Sequence, residues 1–257
     1  MTGTPKVADD EDDDKRSSTA TAGKKKTAQA ETSVEATTLE KAWQPLFDHS
    51  GPTRRLGQFL RGIALHLTED YGPQGSMFVT PDLMFWFFEQ ATIANDPFPW
   101  RTVFGSEISN NSLSRMYQKL LCQMVLVQAQ KHEQPSVPGL TPHGFEQFMI
   151  CLIQAFPQEE YERLSWAVKS MPISNADNRS DRFPKELPRR LLPAQRDLRS
   201  LQRLVASLDH EPLVSFMGIS MPPPPALNER ERAPYSSNAQ REEASVPSER
   251  ERKPYSS

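Results

Sequence analysis

Thr80-Pro81-Asp82-Leu83-Met84-Phe85-Trp86-Phe87-Phe88 is the stretch that decides the fold class of this chain. Its first three residues form a helix start. A Thr oxygen accepts from the orphan amide groups of a first turn, Pro presets that turn, and Asp suits the positive end of the helix dipole. Six apolar residues in a row follow. They predict a helix that is apolar all round and therefore lies at the buried centre of a helical core. Aromatic runs also line cofactor slots, but core packing is the favoured reading here and no cofactor is expected.

The same device recurs at Thr141-Pro142, ahead of Phe145, Phe148, Met149, Leu152, Ile153 and Phe156 at helical spacing. Working outward, Trp43, Leu46 and Phe47 share a helical face that Gly51-Pro52 interrupts. Thr53 caps a helix bearing Leu56, Phe59, Leu60, Ile63, Ala64 and Leu67, which Tyr71-Gly72-Pro73 ends. Pro97-Phe98-Pro99-Trp100 reads as an extended turn. Ser112 opens a helix running to Met124, and the β-branched stretch Val125-Leu126-Val127-Gln128 faces a second short strand over 136–140 across a polar turn. Pro157 starts a helix with Tyr161, Leu164, Ala167, Val168 and Met171 inward. Residues 172–194 look irregular, and a last helix is expected over 195–208. The expected fold is mainly α: a compact multi-helix domain at 39–210 with a short winged-helix-like β-hairpin.

Composition sets the flanks. Hydrophobic residues make up 37% of the 257, and there are 23 prolines, so part of the chain falls outside any packed core. Residues 1–38 have almost no large apolar side chains and carry the acidic run Asp9–Asp14, Lys15-Arg16 and Lys24-Lys25-Lys26. Such a segment buries too little surface to offset its ordering entropy, so a disordered tail is expected. Its basic clusters read either as a solvated polyampholyte or as a nuclear import signal. Residues 211–257 form the expected C-terminal tail, with a run Pro222–Pro225 that serves as a spacer or docks as a polyproline helix. There Glu229-Arg230-Glu231-Arg232-Ala233-Pro234-Tyr235-Ser236-Ser237 recurs as Glu249-Arg250-Glu251-Arg252-Lys253-Pro254-Tyr255-Ser256-Ser257. The tyrosines and serines of this repeat lie beside arginines and are candidate phosphorylation sites.

Three motifs stand out: Pro172-Ile173-Ser174-Asn175-Ala176-Asp177 with Arg182-Phe183-Pro184-Lys185-Glu186-Leu187 and Arg189-Arg190-Leu191; Pro138-Gly139-Leu140-Thr141-Pro142-x-Gly144-Phe145; and Trp43-x-x-Leu46-Phe47 with Leu60-Arg61-Gly62. Together they resemble an uncharacterised domain family of filamentous fungi, over roughly residues 40–195. The tail repeat is similar to Arg-Glu-Arg-Lys-Pro-Tyr units of longer members. The resemblance implies a domain of unknown function and brings no catalytic residues with it.

Enzyme chemistry is not expected. G-x-S-x-G, P-loop, G-x-G-x-x-G and H-E-x-x-H motifs are missing from the sequence, and the five histidines are scattered. His66 with Glu69 and Asp70 shares a helix face, but a metal needs more converging ligands, and a solvated helix end is the favoured reading. Cys122 and Cys151 read as small buried hydrophobes in a reducing compartment, which places the protein inside the cell, in cytoplasm or nucleus. No stretch reaches the roughly 18 apolar residues of a membrane span, so no membrane partner is expected.

Binding is the remaining class. Arg179, Arg182, Lys185, Arg189 and Arg190, continued by Arg196 and Arg199, form a candidate patch for phosphate or acidic peptide. The competing reading is a connector pinned by its arginines to acidic helix ends. A protein-interaction or scaffold module is the expected function, with protein partners. The alternative is a winged-helix-like nucleic-acid-binding regulator, weakened because the helix before the hairpin offers only Arg115 and Lys119 to phosphates.

Overall fold

The computed structural model describes residues 36–209. Except for residues 36–38, both expected tails, with the import-signal clusters, the proline run and the phosphorylatable repeat, lie outside the described residues. Among the described residues the fold is mainly α, with eight α-helices and three two-stranded antiparallel hairpins.

Helix α1 (Thr38–Trp43) is closed at its start by a capping box between Thr37 and Glu40 and stopped by Gln44, whose φ is 64°. The expected helical face through Phe47 therefore ends early. Phe47–Asp48 (β1) turns back on Gly51–Pro52 (β2) as a tight hairpin. Thr53 caps α2 (Arg54–His66), which continues as one π-helical turn through Tyr71. Helix α3 (Pro81–Gln90) begins at Thr80-Pro81, as the sequence indicated, but the Thr80 hydroxyl does not accept from the first-turn amides, and the helix is not apolar all round in place. Leu83, Met84, Phe87 and Phe88 are buried, Trp86 is half-buried, and Phe85 is 36% exposed. A helix at the edge of a layered core shows one side to solvent even when every residue on it is apolar.

Pro99-Trp100 begins a short helix, α4 (Trp100–Phe104), where the sequence suggested only an extended turn. Helix α5 runs over Asn110–Lys119, capped by Ser109 and not by Ser112. It stops five residues before Met124, because Leu120 and Leu121 leave the helix and Leu121 takes φ 61°. The expected hairpin is present as β3 (Met124–Val127) and β4 (Val137–Leu140). Val79, between α2 and α3, pairs with Leu140 on the other side of β4, with N–H···O distances of 2.8 and 2.9 Å. The order across this small sheet is Val79, β4, β3, so β3 is the edge.

Thr141 caps α6 (Pro142–Ala155), and α7 (Pro157–Ser170) follows directly. The stretch 172–194 is more ordered than its composition suggested. It holds β5 (Ser174–Asn175), β6 (Asn178–Arg182) and a 3-10 turn at Arg189–Leu191. Asp197 then caps α8 (Leu198–Leu208).

Helix α6 packs against both α2 and α8, and α5 packs against α8. Two close approaches need glycine. A Cβ on Gly62 would lie 2.2 Å from the Ser174 carbonyl oxygen, and one on Gly144 would lie 1.8 Å from that of Gln123. The first lets β5 lie against α2, and the second seats the base of β3 on the first turn of α6. Aromatic side chains fill the interior, with Trp43, Phe59 and Phe183 as one cluster and Phe88, Trp100, Phe104 and Phe148 as another.

Candidate functional site

The basic stretch 179–199 is largely engaged by the domain itself. Arg179 pairs with Glu69 in the middle of the π-helical turn. Lys185 donates to the carbonyls of Lys169 and Met171, at 3.3 and 2.7 Å, at the C-terminal end of α7. Arg189 donates to Gln158 and to the Leu192 and Pro193 carbonyls. Arg190 reaches Glu40 at 3.4 Å, and Arg196 pairs with Glu159. Of the five residues Arg179, Arg182, Lys185, Arg189 and Arg190, only Arg182 makes no ion pair or side-chain hydrogen bond among the described residues. It lines a cleft of about 140 Å³ with His66, Glu69 and Asp70. His66 itself pairs with Asp70.

The distinctive Pro172–Asp177 motif is a clamp on α2. Asp177 accepts from Arg54, Gln58 and Arg61 at 2.9–3.0 Å. These donors hold its carboxyl down at about 2. Asp181 accepts from Arg55 and from Asn175, which also lowers its pKa. Phe183 is buried under the Arg55 guanidinium, 4.3 Å above its ring, and Trp43 donates its indole N–H to the Glu186 carbonyl at 2.7 Å.

Sequence reasoning missed the most buried charge. Arg163 on α7 is fully buried, donating to Glu160, to Asp96 at 2.6 Å and to the Ala91 carbonyl at 2.8 Å, with its guanidinium 4.4 Å from the Phe88 ring. Burial pushes the Glu160 carboxyl above its ordinary range against the pull of Arg163. Burial also opposes the charge on Arg163, but Glu160 and Asp96 outweigh it. In the sequence Arg163 is a single charged residue between Glu162 and Leu164, with nothing to mark its partner 67 residues earlier.

The thiols of Cys122 and Cys151 are buried, and burial pushes them up to about 12 and about 11. Among the described residues no group of three or more His, Cys, Asp or Glu side chains is placed to hold a metal ion. None of the described helices is long and apolar enough to cross a membrane.

A different surface carries unsatisfied character. Between α5 and the β3–β4 hairpin runs a groove of about 460 Å³, lined by Asn111, Ser114, Arg115, Gln118, Met124 and Leu126, among others. Leu126 in its lining is 50% exposed, and on β3 and just before it Val125 and Leu121 are exposed at 39% and 71%. Pro138 has no amide hydrogen, so strand alternation assigns the paired hydrogen bonds to Val125–Gly139 and Val127–Val137. The N–H and C=O of Leu126 then point outward from the free edge of β3. The sequence marked the hairpin but not this edge, because Val125 and Leu126 look the same whether covered or bare.

No curated protein and no solved structure matches this chain. One family model matches it, over residues 44–208, from the loop after α1 to the end of α8. That span is more than half of the 257 residues and contains the Pro138–Phe145 and Pro172–Leu191 motifs of the resemblance, so the chain belongs to the domain of unknown function DUF7514.

Proposed function

We propose that this domain is a non-enzymatic protein-interaction module that receives an extended, largely apolar polypeptide segment along β3 and the α5–hairpin groove. The observation that carries this reading is the bare strand edge at Leu126, bordered by exposed Leu121, Val125 and Leu126. Main-chain hydrogen bonds along such an edge supply affinity, and flanking apolar side chains supply selectivity. Isolated exposed hydrophobics are ordinary, but a half-exposed Leu126 beside an unpaired main-chain edge offers both backbone and side-chain contacts to a partner strand. Two unpaired thiols support a reducing compartment, cytoplasm or nucleus.

The second reading, a nucleic-acid-binding regulator, is favoured by one feature, the helix–hairpin–helix order of α5, β3, β4 and α6. Charge weighs against it. Residues 36–209 hold eighteen Lys and Arg against eighteen Asp and Glu. On α5 the Lys119 ammonium is drawn to the Ala206 carbonyl at 2.8 Å, leaving Arg115 in the groove. Phosphate neutralisation dominates nucleic-acid affinity, and one free cation on α5 supplies little of it.

Selection of displayed random peptides against the full chain tests the docking reading. Apolar, extended sequences are expected, with binding reduced at least tenfold by Leu126→Lys in an otherwise folded protein. Peptides indifferent to Leu126→Lys would overturn the reading. Salt-sensitive binding of mixed duplex DNA, lost in Arg115→Glu, would move the assignment to nucleic acid.

A further inference from the structure

We infer that the segment Leu213–Ile219 of this same chain docks on the free edge of β3, so that the domain covers its own binding surface until a competing segment displaces it. This rests on the docking reading above and names the first occupant of that site.

Three observations point to this segment. The first is where the chain leaves the domain. Helix α8 ends at Leu208. The beginning of α8 is tied to the end of α6, where Ser200 meets Gln154 and the Asp197 amide donates to the Gln154 carbonyl. Its far end lies beside the end of α5, where Lys119 reaches the Ala206 carbonyl at 2.8 Å. From Lys119 the chain passes through exposed Leu121 directly into β3. The exit of α8 therefore lies beside the segment that leads from α5 into β3.

The second is the sequence that follows. Asp209-His210-Glu211-Pro212 is a short polar link, and then comes Leu213-Val214-Ser215-Phe216-Met217-Gly218-Ile219-Ser220-Met221 before Pro222. This apolar run, bounded by prolines and containing no charge, has the length and the β-branched and aromatic content of a buried strand. The first charged residue after it is Glu229. The third is reach. The five residues from Leu208 to Leu213 extend to about 17 Å at most. A link that short holds the segment at an effective concentration in the millimolar range, so even weak strand addition is well populated.

A second copy of the chain is the competing occupant, because two β3 edges would pair equally well. The two differ in molecularity, and the experiment uses that difference. A photo-crosslinking amino acid is placed at Phe216 of the full chain, and crosslinked peptides are mapped by mass spectrometry at several protein concentrations. Crosslinks from 216 to residues 121–128 within one monomer, in a yield independent of concentration, are expected. Crosslinks between chains, or to another face, would overturn the proposal. In parallel, amide exchange of the full chain is compared with that of Val214→Asp/Phe216→Asp. Exchange over residues 124–128 is expected to accelerate at least tenfold while α6 is unchanged, and no change there would also overturn it.

Failure here is distinguishable from failure of the docking reading. If selected peptides bind and depend on Leu126 while residue 216 crosslinks elsewhere, the surface is a docking site and the self-docking proposal falls. If 216 crosslinks to 121–128 and no peptide binds even in the Val214→Asp/Phe216→Asp chain, the cover stands and the docking reading falls. With both correct, that double variant binds the selected peptides at least tenfold more tightly than the native chain.

Discussion

Arg163 shows how much a single residue can hold. It connects α7, the α3–α4 loop and the Phe88 ring, and its side chain has no exposed surface. Removing one member of a buried ionic group leaves the others desolvated and unpaired, which costs about 3–5 kcal/mol. Arg163→Met is expected to lose stability on that order in urea unfolding, since Glu160 and Asp96 would remain behind. Arg101→Met, which removes an exposed partner of Glu89, is expected to fall within the scatter of the same measurement. Equal losses in the two variants would show that the Arg163 cluster does not hold α7 in place.

Among elements, α2 and the β5–β6 hairpin interact through charge as much as through packing. Asp177 receives three donors from α2, and its carboxyl sits at about 2, below the unfolded value near 3.9. A carboxyl lowered on folding stabilises above its unfolded pKa and loses that contribution as pH falls through the folded one. The clamp is therefore in force above about pH 5 and is gone near pH 2. Asp181 and Asp197 are lowered as well, so the whole domain weakens in acid, and only a difference measurement isolates Asp177. The stability gap between the native chain and Asp177→Asn is expected to shrink steadily from pH 6 to pH 2 in urea titrations. A gap that stays constant over that range would remove the ionic account of the clamp. This element pair also explains why the Pro172–Asp177 motif is distinctive in sequence. Ile173 fills the core, Asn175 ties Asp181 to the turn, and Gly62 on α2 supplies the close approach. The motif encodes a join between elements, and its residue types alone do not separate that role from a binding patch.

At the scale of the molecule, the two thiols report on how the domain opens. Cys122 follows α5 and Cys151 lies on α6, and both are buried in the one hydrophobic core. Raised to about 12 and about 11, they stay protonated at neutral pH, and a thiolate is the reactive form. Both are expected to react with a thiol reagent in one slow phase at the rate of global unfolding. A fast phase confined to Cys122 would show that the hairpin end opens separately from the rest. The helical class, the Thr-Pro starts at 80 and 141, the hairpin and the burial of both cysteines were legible in the sequence. Each of these follows from local chemistry: a cap, a proline's fixed φ, a β-branched run or an apolar period acts within a few residues. The partners of Arg163, the pairing of Val79 with Leu140, the engagement of Arg179, Arg189, Arg190 and Arg196 and the bare edge of β3 were decided by the tertiary structure. Those features join residues tens of positions apart, and whether a charge is paired or an apolar side chain is covered depends on what the fold brings beside it.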